Sequence, residues 1–570
     1  MTVGRGVLLL AALLLAWAVV VLVTGGVVLD TRWGTLTSRA AARPFIAAGL
    51  LLLLYLVHFR HGWKADAGRW HRLSAPHAVV AVAIVVTLAV GLRCGARIAG
   101  GPDAAGYVSQ AAMFVGGHLT VRPPEWVDRM TWANAALASA PIGYHPIERP
   151  ATLAPTYSPG LPLLMAAFQV VAGPSAVFLV VPLLAAVAAW AAYQLGNVLS
   201  GPWAGVIAVV LLTSSPAFLV MTVQAMSDVP VTAAWTLALV SALRGRPAMS
   251  GLFTAAAILV RPNLAPLSAL PCALLLVERD RRVAHAVRFA LAAAPGALIV
   301  AALNWYYHGS PAQSGYGPFE SLYSLSRVRP NLEQYARWFR ESQTMIPLVG
   351  ILAPFIARVS MPDRVRLLLV CSVFPAVVLA LYLPYLMFQP QEWTYLRFLL
   401  PGYPALMAGA GVVCTSVVGR SRWRVPVSAA VAVLVAAVAI ETWQSATARG
   451  VFALRETDER YARAVAHVHT LPANAVIVSL AHSGTLWFYT GRDVLRFDAI
   501  DGTNIDAAVA ELTAAGHPVY LVGDPFEVDM FRARFAGTRA AARVGGAPQT
   551  DLRGSVVYRL DDSGETRRDR

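Results

Sequence analysis

Apolar residues are grouped along this chain in long runs that short polar or basic segments separate. A run of about 17–25 residues is long enough to cross a hydrocarbon core of about 30 Å as a helix. A further apolar run at residues 161–172 is too short to cross and is predicted to lie at the membrane interface. The pattern predicts about thirteen transmembrane helices, at residues 7–29, 44–59, 78–96, 175–199, 203–222, 226–243, 249–261, 262–278, 285–303, 344–358, 366–388, 396–418 and 425–441.

Two parts of this pattern can be interpreted in more than one way. Residues 249–278 form either two spans or one re-entrant hairpin, because the first run is short and Arg261-Pro262 interrupts the pair. The N-terminal run at 7–29 is too long for the hydrophobic region of a signal peptide and lacks a small-residue cleavage site, so we expect a retained span.

The hydrophobic pattern changes after residue 441, where short segments typical of helices and strands alternate. Such alternation favours a small α/β layer domain. No glycine-rich phosphate loop follows the strands of this domain, so its sequence gives no indication of a catalytic activity. The predicted helices are 455–469, 504–515 and 526–536, and the predicted strands are 474–480, 518–523 and 554–560.

The predicted fold is therefore a polytopic α-helical membrane protein with a C-terminal extracytoplasmic α/β domain. Residues 1–76 would hold two helices and a basic cytoplasmic loop, and residues 77–441 a transmembrane catalytic module with a large outer loop at 97–174. Residues 442–570 would form the soluble domain.

Composition agrees with a membrane protein. Of the 570 residues, 57% are hydrophobic and only 14% are charged, whereas soluble proteins carry about 25% charged residues. The net charge of +15 could suggest nucleic acid, but the basic residues lie in short clusters between the spans. That arrangement indicates membrane topology, and no nucleic-acid partner is expected. The four cysteines lie in or beside apolar runs, so no disulfide framework is expected.

The basic clusters also predict the orientation of the chain, because cytoplasmic loops of membrane proteins are enriched in arginine and lysine. With the N-terminus in the cytoplasm, the short basic connections 60–72, 244–246, 279–282, 358–366 and 419–424 are cytoplasmic. The outer loop with Arg32, Arg39 and Arg43 is an exception. We expect a multi-pass protein of the cytoplasmic (inner) membrane, with its long segments 97–174, 304–343, 389–395 and the C-terminal domain outside.

Two acids then fall at the same outer face. Asp103 follows the span 78–96 by a few residues, and Asp228 begins the span 226–243. A charge in the bilayer core costs about 2.5–3.5 kcal/mol on insertion scales, so an acid beside a span is a candidate functional residue. The loop 97–174 is rich in proline, aromatic and polar residues, which favours a folded segment.

Arg261 and Arg397 lie at span ends on this face. Guanidinium groups suit phosphate, so two of them opposite two acids indicate an anionic, amphiphilic ligand. The only lysine, Lys64, lies on an inner loop, so arginine or backbone groups must hold any phosphate outside. Two isolated acids do not define a metal site, so no cofactor is required and a divalent cation stays an open possibility.

These residues resemble the GT-C superfamily of membrane glycosyltransferases, in the branch of protein O-mannosyltransferases and the lipid A aminoarabinose transferase. The resemblance covers roughly residues 77–441. It rests on the order of five short motifs: the Asp103–Tyr107 segment, YSPGLPLLMA at 157–166, SDVP at 227–230, the Arg261-Pro262 hairpin and YLRFLLPGYP at 395–404.

The resemblance implies transfer of a hexose or pentose from a polyprenyl-phosphate carrier to a hydroxyl of a glycan, lipid or protein, with inversion, in the cell envelope. It implies that Asp103 is the general base and that Asp228 orients hydroxyls or holds a cation. Arg261 and Arg397 would bind the donor phosphate. The candidates for the sugar pocket are Tyr107, His145, Glu148 and Tyr157.

The chain departs from the family pattern at two places. Relatives often carry an acidic pair where Asp103 is followed here by Ala104, which weakens a metal-binding role. They also often carry a lysine near the segment that corresponds to Tyr157-Ser158-Pro159-Gly160, where this chain has none. The mode of donor binding and the identity of the sugar are therefore open.

The residues leave two other functions open. A transporter or flippase of lipid-linked saccharides would show internal repeats and ionisable residues deep within its helices. We find no convincing repeat, and the acids cluster at one face. A non-catalytic cell-envelope assembly protein would tolerate the loss of both Asp103 and Asp228, whereas a transferase would not.

Overall fold

The computed structural model describes residues 27–31, 34–38, 42–58, 75–277, 282–387 and 391–561, together with Leu10 and Leu14. The chain divides into two compact units. The first unit is drawn from Met1–Gly95, Phe168–Val300 and Phe319–Phe452, and the second from Ala96–Ala167, Ala301–Pro318 and Ala453–Arg570.

Among the described residues, six helices are long and apolar enough to cross a membrane. They are Ala75–Cys94, Pro174–Ser200, Arg282–His308, Met361–Tyr382, Trp393–Arg420 and Arg424–Ala448. The pair Pro202–Thr213 and Pro216–Thr222 passes the same test together but is bent by 66°. Shorter apolar helices are Gly160–Ala172, Asp228–Leu243, Pro247–Val260, Pro262–Val277 and Ile346–Ile356. The expectation of a multi-pass helical membrane protein is confirmed, whereas the count of thirteen spans stays a prediction.

Most predicted spans correspond to helices. The span 44–59 is helix Ala42–His58. The predicted span 203–222 is broken after Thr213, because Ser215 caps a new helix that begins at Pro216. The predicted loop 60–72 lies outside the described residues, and so does most of the predicted span 7–29. Val27–Thr31 forms a strand that pairs with Gly34–Ser38.

Small residues let the helices of the first unit approach closely. A side chain at Gly350 would overlap the Leu406 carbonyl, and one at Gly411 would overlap Ala204. Packing of this kind stabilises helix pairs in lipid, where no hydrophobic effect drives them together. Helices Phe319–Leu322 and Val328–Gln343 follow the helix Arg282–His308 and belong to the predicted outer segment 304–343.

The second unit contains a five-stranded sheet in the order Asp493–Arg496, Val476–Ser479, Val519–Gly523, Val556–Arg559 and Thr550–Asp551. The first three strands are parallel, and the last two pair antiparallel. Alternate residues of the strands enter two hydrophobic clusters, as the two-residue period of a strand requires. The helices of this domain are Leu454–Val468, Ser483–Thr490, Ile505–Ala514, Pro525–Arg534 and Arg539–Val544.

This sheet confirms the predicted α/β domain. All six predicted elements occur within two residues of their expected positions. Helix Ser483–Thr490 and strand Asp493–Arg496 were not predicted, because the segment SGTLWFYTGRDVLR contains no clear periodicity.

The segment 97–174, which the arginine distribution predicts to be the outer segment, is folded, as its composition predicts, and belongs mostly to the second unit. Trp126, Trp132 and Ala138 lie in the same hydrophobic cluster as the strands of the C-terminal sheet, and Trp126 Nε1 donates to Asp493 Oδ2 over 2.9 Å. Its helices are Pro102–Val115, Ala135–Ser139 and Gly160–Ala172, with a 3-10 turn at Val127–Arg129, and its strands are Tyr144–Pro146 and Leu153–Pro155.

Candidate active site

Asp103 lies in the first turn of helix Pro102–Val115. Gly101 precedes this helix with φ 75°, a conformation that favours glycine, and Pro102 begins it. The half-buried Asp103 carboxylate accepts a hydrogen bond of 2.8 Å from Tyr157 Oη at Oδ1. The structure therefore brings together two residues that are 54 positions apart in the sequence.

Tyr157 is buried among aromatic rings. Its ring centroid lies 4.7 Å from that of Tyr107 and 5.9 Å from that of Tyr316. A side chain at Gly106 would overlap the Tyr157 ring, so this glycine allows the close approach. Burial, reinforced by the charge of Asp103, raises the pKa of Tyr157 well above its usual value. Tyr157 therefore stays protonated and donates its hydrogen bond throughout the physiological pH range.

His145 lies near this cluster on strand Tyr144–Pro146. Its Nδ1 is 3.3 Å from Thr156 Oγ1, and its ring stacks on that of His308 at 5.2 Å. Burial, and then the proximity of His308, lower the pKa of His145 to about 4, so the imidazole is neutral at physiological pH. Its buried Nε2 has no hydrogen-bond partner within the described part of the chain. Glu148, by contrast, is exposed in the turn that follows this strand.

A second cluster lies in the first unit around Asp228. This residue begins helix Asp228–Leu243, and its side chain is 0% exposed. Arg261 Nη2 forms an ion pair of 2.7 Å with Asp228 Oδ1, and Arg261 Nε donates to Ser227 Oγ over 3.1 Å. Asp228 Oδ2 has no hydrogen-bond partner in the described ranges.

The position of Arg261 follows from the sequence Arg261-Pro262. A proline disfavours the helical conformation of the residue before it, and Arg261 is extended with φ −144° and ψ 89°. Helix Pro247–Val260 therefore ends there, and the Arg261 guanidinium forms its ion pair with Asp228.

Arg397 and Arg261 both lie close to the ring of Phe398. Arg397 Cζ is 5.3 Å from the centroid of the Phe398 ring, and Arg261 Cζ is 5.6 Å from the same centroid. These distances suit cation–π attraction. Phe398 stacks on Tyr382 at 4.8 Å, and Arg261 Nη1 donates to Tyr382 Oη over 3.4 Å. The structure therefore brings Asp228, Arg261 and Arg397 into one cluster.

Sequence reasoning missed Tyr335 in this region. Its side chain is 2% exposed, and its hydroxyl has no hydrogen-bond partner among the described residues. Burial raises the pKa of Tyr335 well above its usual value, while the charges of Arg261 and Arg397 act to lower it. Helix Val328–Gln343 carries several aromatic residues, and nothing in its pattern distinguishes Tyr335 from Trp338 or Phe339.

One group of side chains has the composition of a metal site. The ligand atoms of His482, Asp524 and Glu527 all lie within 4.8 Å of one another and are buried. However, the two Glu527 oxygens accept hydrogen bonds from the backbone N–H groups of Ala481 and Asp524, at 2.6 and 2.8 Å. His482 Nε2 and Asp524 Oδ1 bond each other at 2.8 Å. Both Glu527 oxygens, His482 Nε2 and Asp524 Oδ1 therefore already have hydrogen-bond partners. Asp524 Oδ2 lies 3.4 Å from Arg460 Nε, and the buried His482 Nδ1 has no hydrogen-bond partner among the described residues.

Solved structures share this architecture. ArnT from Cupriavidus metallidurans, bound to undecaprenyl phosphate, matches with a TM-score of 0.53 at 15% identity, over 85% of this chain and 98% of that chain. The Archaeoglobus fulgidus oligosaccharyltransferase tethered with an acceptor peptide matches with a TM-score of 0.53 at 13% identity, over 86% of this chain and 75% of that chain. AglB from the same organism, in complex with an inhibitory peptide and a dolichol-phosphate, matches with a TM-score of 0.53 at 13% identity, over 82% of this chain and 71% of that chain.

No protein-family model matches the chain, and a search of curated proteins by sequence finds no significant match. Identities of 13–15% support a shared fold and nothing finer. The chain has the GT-C fold, as its motifs predict, and it is a multi-pass membrane protein.

Proposed function

We propose that this protein is a membrane glycosyltransferase that moves a sugar from a polyprenyl-phosphate carrier to a hydroxyl group of an acceptor. The observation that carries the proposal is the bond between the Asp103 carboxylate and the buried Tyr157 hydroxyl at the start of a helix. The structural neighbours bound to undecaprenyl phosphate or dolichol-phosphate support a polyprenyl-phosphate donor.

Asp103 is the general base in this proposal. The acceptor oxygen attacks C1 of the sugar and loses its proton to the carboxylate, while the bond from C1 to the phosphate oxygen breaks and its electrons stay on the phosphate. A single displacement of this kind inverts the anomeric centre. Tyr157 fixes Oδ1 of Asp103 through its 2.8 Å bond and thereby orients the carboxylate. Positioned bases contribute about 10²–10⁴-fold to rate.

Arg261 and Arg397 bind the donor phosphate and stabilise the charge that develops on it as the bond breaks. The buried Tyr335 hydroxyl, which lies in the field of both guanidinium groups, is a further hydrogen-bond donor for the phosphate. Asp228 is fully buried against Arg261, so its role is to hold that guanidinium rather than to touch the sugar. No resident cation is required by this proposal.

Tyr107 and His145 contribute to binding of the sugar or the acceptor hydroxyl. The neutral His145 presents an unsatisfied Nε2, which suits a hydroxyl group better than a phosphate. Glu148 is exposed, so in this proposal it contacts only a part of the acceptor that lies outside the buried aromatic group of Tyr107 and Tyr157. The sugar is a hexose or a pentose, and the acceptor is a glycan, a lipid or a protein.

Transfer from a panel of radiolabelled polyprenyl-phosphate hexoses and pentoses, in membranes that contain the protein and an envelope extract as acceptor, tests the proposal. We expect label to leave the lipid for the acceptor with one donor of the panel. Arg397→Gln should raise the KM for that donor at least about tenfold, since a charge-assisted bond contributes about 1.5–3 kcal/mol. The control Arg358→Gln removes an exposed arginine and should leave KM unchanged.

Two results would contradict the proposal. Movement of the intact lipid-linked sugar across vesicles without cleavage of its phosphate bond would identify a flippase. An unchanged KM for Arg397→Gln would remove this arginine from the donor site.

A further inference from the structure

Helix Ser483–Thr490 of the C-terminal domain lies against the segment that leads into Asp103. The buried Thr485 Oγ1 donates a hydrogen bond of 2.7 Å to the carbonyl of Ala99. The backbone N–H of Ala99 donates to Tyr489 Oη over 3.0 Å. One helix therefore engages both backbone groups of a residue that lies four positions before Asp103.

The same helix also contacts the segment that leads into strand Tyr144–Pro146. Ser483 Oγ accepts a hydrogen bond of 3.2 Å from the backbone N–H of Ile142. Gly484 lies so close to this segment that a Cβ would stand 2.9 Å from the Ile142 carbonyl and 3.1 Å from Ala105 Cβ. Gly143, the next residue, lies against both Gly106 and the Tyr157 ring.

The start of helix Ser483–Thr490 is itself tied to the sheet domain. His482 Nε2 bonds to Asp524 Oδ1 at 2.8 Å, and the backbone N–H of Ala481 donates to Glu527 Oε1 over 2.6 Å. Asp524 and Glu527 form the capping box of helix Pro525–Arg534, which follows the central strand Val519–Gly523. These groups are buried, so the helix is held rigidly relative to the sheet.

The two residues between Ala99 and Pro102 are both glycines, Gly100 and Gly101, and Gly101 has φ 75°. A Cβ at Gly100 would stand 2.3 Å from the Tyr461 ring, so helix Leu454–Val468 of the same domain packs directly against this connection. The C-terminal domain therefore contacts the chain on both sides of Asp103, at Ala99 and Gly100 before it and at Ala105 after it.

We propose that helix Ser483–Thr490 positions the general base, with Thr485 and Tyr489 as positioning residues that fix the start of helix Pro102–Val115. The proposal rests on the proposed role of Asp103, and it assigns the C-terminal domain the role of a rigid frame for catalysis. Displacement of a catalytic group by about 1 Å can lower the reaction rate about 10²-fold.

The test compares Thr485→Val, Tyr489→Phe and the double variant with wild type in the full-length protein. Two readouts are made: amide hydrogen exchange of the peptides that cover residues 99–110, and kcat and KM for transfer. Thr485→Ser keeps the hydroxyl and should restore both. Thr490→Val is the matched control, because the buried Thr490 hydroxyl bonds to the Leu486 carbonyl of its own helix and not to Ala99.

We expect exchange of residues 99–110 to quicken about fivefold to tenfold per lost hydrogen bond. In the same variants kcat should fall about tenfold or more while the donor KM stays unchanged. The control should match wild type in both readouts. Unchanged exchange in the double variant would overturn the proposal, and so would faster exchange with an unchanged kcat. If the variants exchange faster but the wild-type protein transfers no sugar, the positioning of residues 99–110 by this helix is supported. That result would count only against the proposed function.

Discussion

At the scale of single residues, the bond from Tyr157 to Asp103 is the feature with the clearest consequence. A hydrogen bond to a charged group contributes about 1.5–3 kcal/mol, so Tyr157→Phe should lower kcat by roughly 10- to 100-fold. The matched control is Tyr144→Phe, which removes another buried hydroxyl that donates to Ser109 rather than to a carboxylate. Equal effects of the two substitutions on kcat would contradict the role assigned to Tyr157.

The lowered pKa of His145 implies that the stability of the folded protein depends on pH. Its pKa is about 4 in the folded protein, below the usual value of 6.5, so the unfolded chain binds more protons between these pH values. The stability contribution is complete above about pH 6.5 and is lost as the pH falls toward 4. Wild type should therefore lose more thermal stability than His145→Asn between pH 7 and pH 5. The same loss in both proteins would show that His145 does not titrate in this way.

At the scale of helices, the ion pair between Asp228 and Arg261 ties the start of helix Asp228–Leu243 to the end of helix Pro247–Val260. Removing one partner leaves a buried charge uncompensated, which costs about 3–5 kcal/mol. Asp228→Asn and Arg261→Met should each lower the melting temperature in detergent. The double variant should recover part of this loss, because no unpaired charge remains. Additive losses in the double variant would contradict the coupling of the two residues.

The elements differ in how well the sequence predicts them. The break at Arg261-Pro262 follows from proline sterics, and the strand VYLVG at 519–523 follows from a continuous apolar run, so both could be predicted. Helix Pro102–Val115 was not predicted, because it begins in a Gly-Gly-Pro sequence and its mixed residues have no amphipathic period. The pairing of Asp103 with Tyr157 lay beyond sequence reasoning, because the two residues meet only through tertiary packing.

At the scale of the whole molecule, the C-terminal domain shares its hydrophobic core with the segment 97–174. Its main hydrophobic cluster includes Trp126, Trp132 and Ala138 from the outer segment. Deletion of the domain would expose this cluster and release the segment that carries Asp103. A deletion therefore cannot separate the positioning of Asp103 from folding, whereas the point substitutions at Thr485 and Tyr489 can.

The orientation of the chain is a prediction of the arginine distribution and can be measured directly. In a variant without the four native cysteines, a cysteine at Ser421, in the basic loop 419–424, should be protected from a membrane-impermeant maleimide in intact cells. A cysteine at the exposed Ala515, in the C-terminal domain, should be labelled. Labelling of Ser421→Cys and protection of Ala515→Cys would reverse the predicted orientation.

In the proposed reaction, Asp103 removes the proton of the acceptor hydroxyl. The most direct measurement is single-turnover transfer from the accepted donor by Asp103→Asn, at matched expression. The control is Asp128→Asn, which alters an exposed carboxylate in the same outer segment. Asp103→Asn should slow transfer by about 10²–10⁴-fold with unchanged donor binding, while the control should retain the wild-type rate. Wild-type transfer by Asp103→Asn would contradict the claim and remove Asp103 from the chemistry.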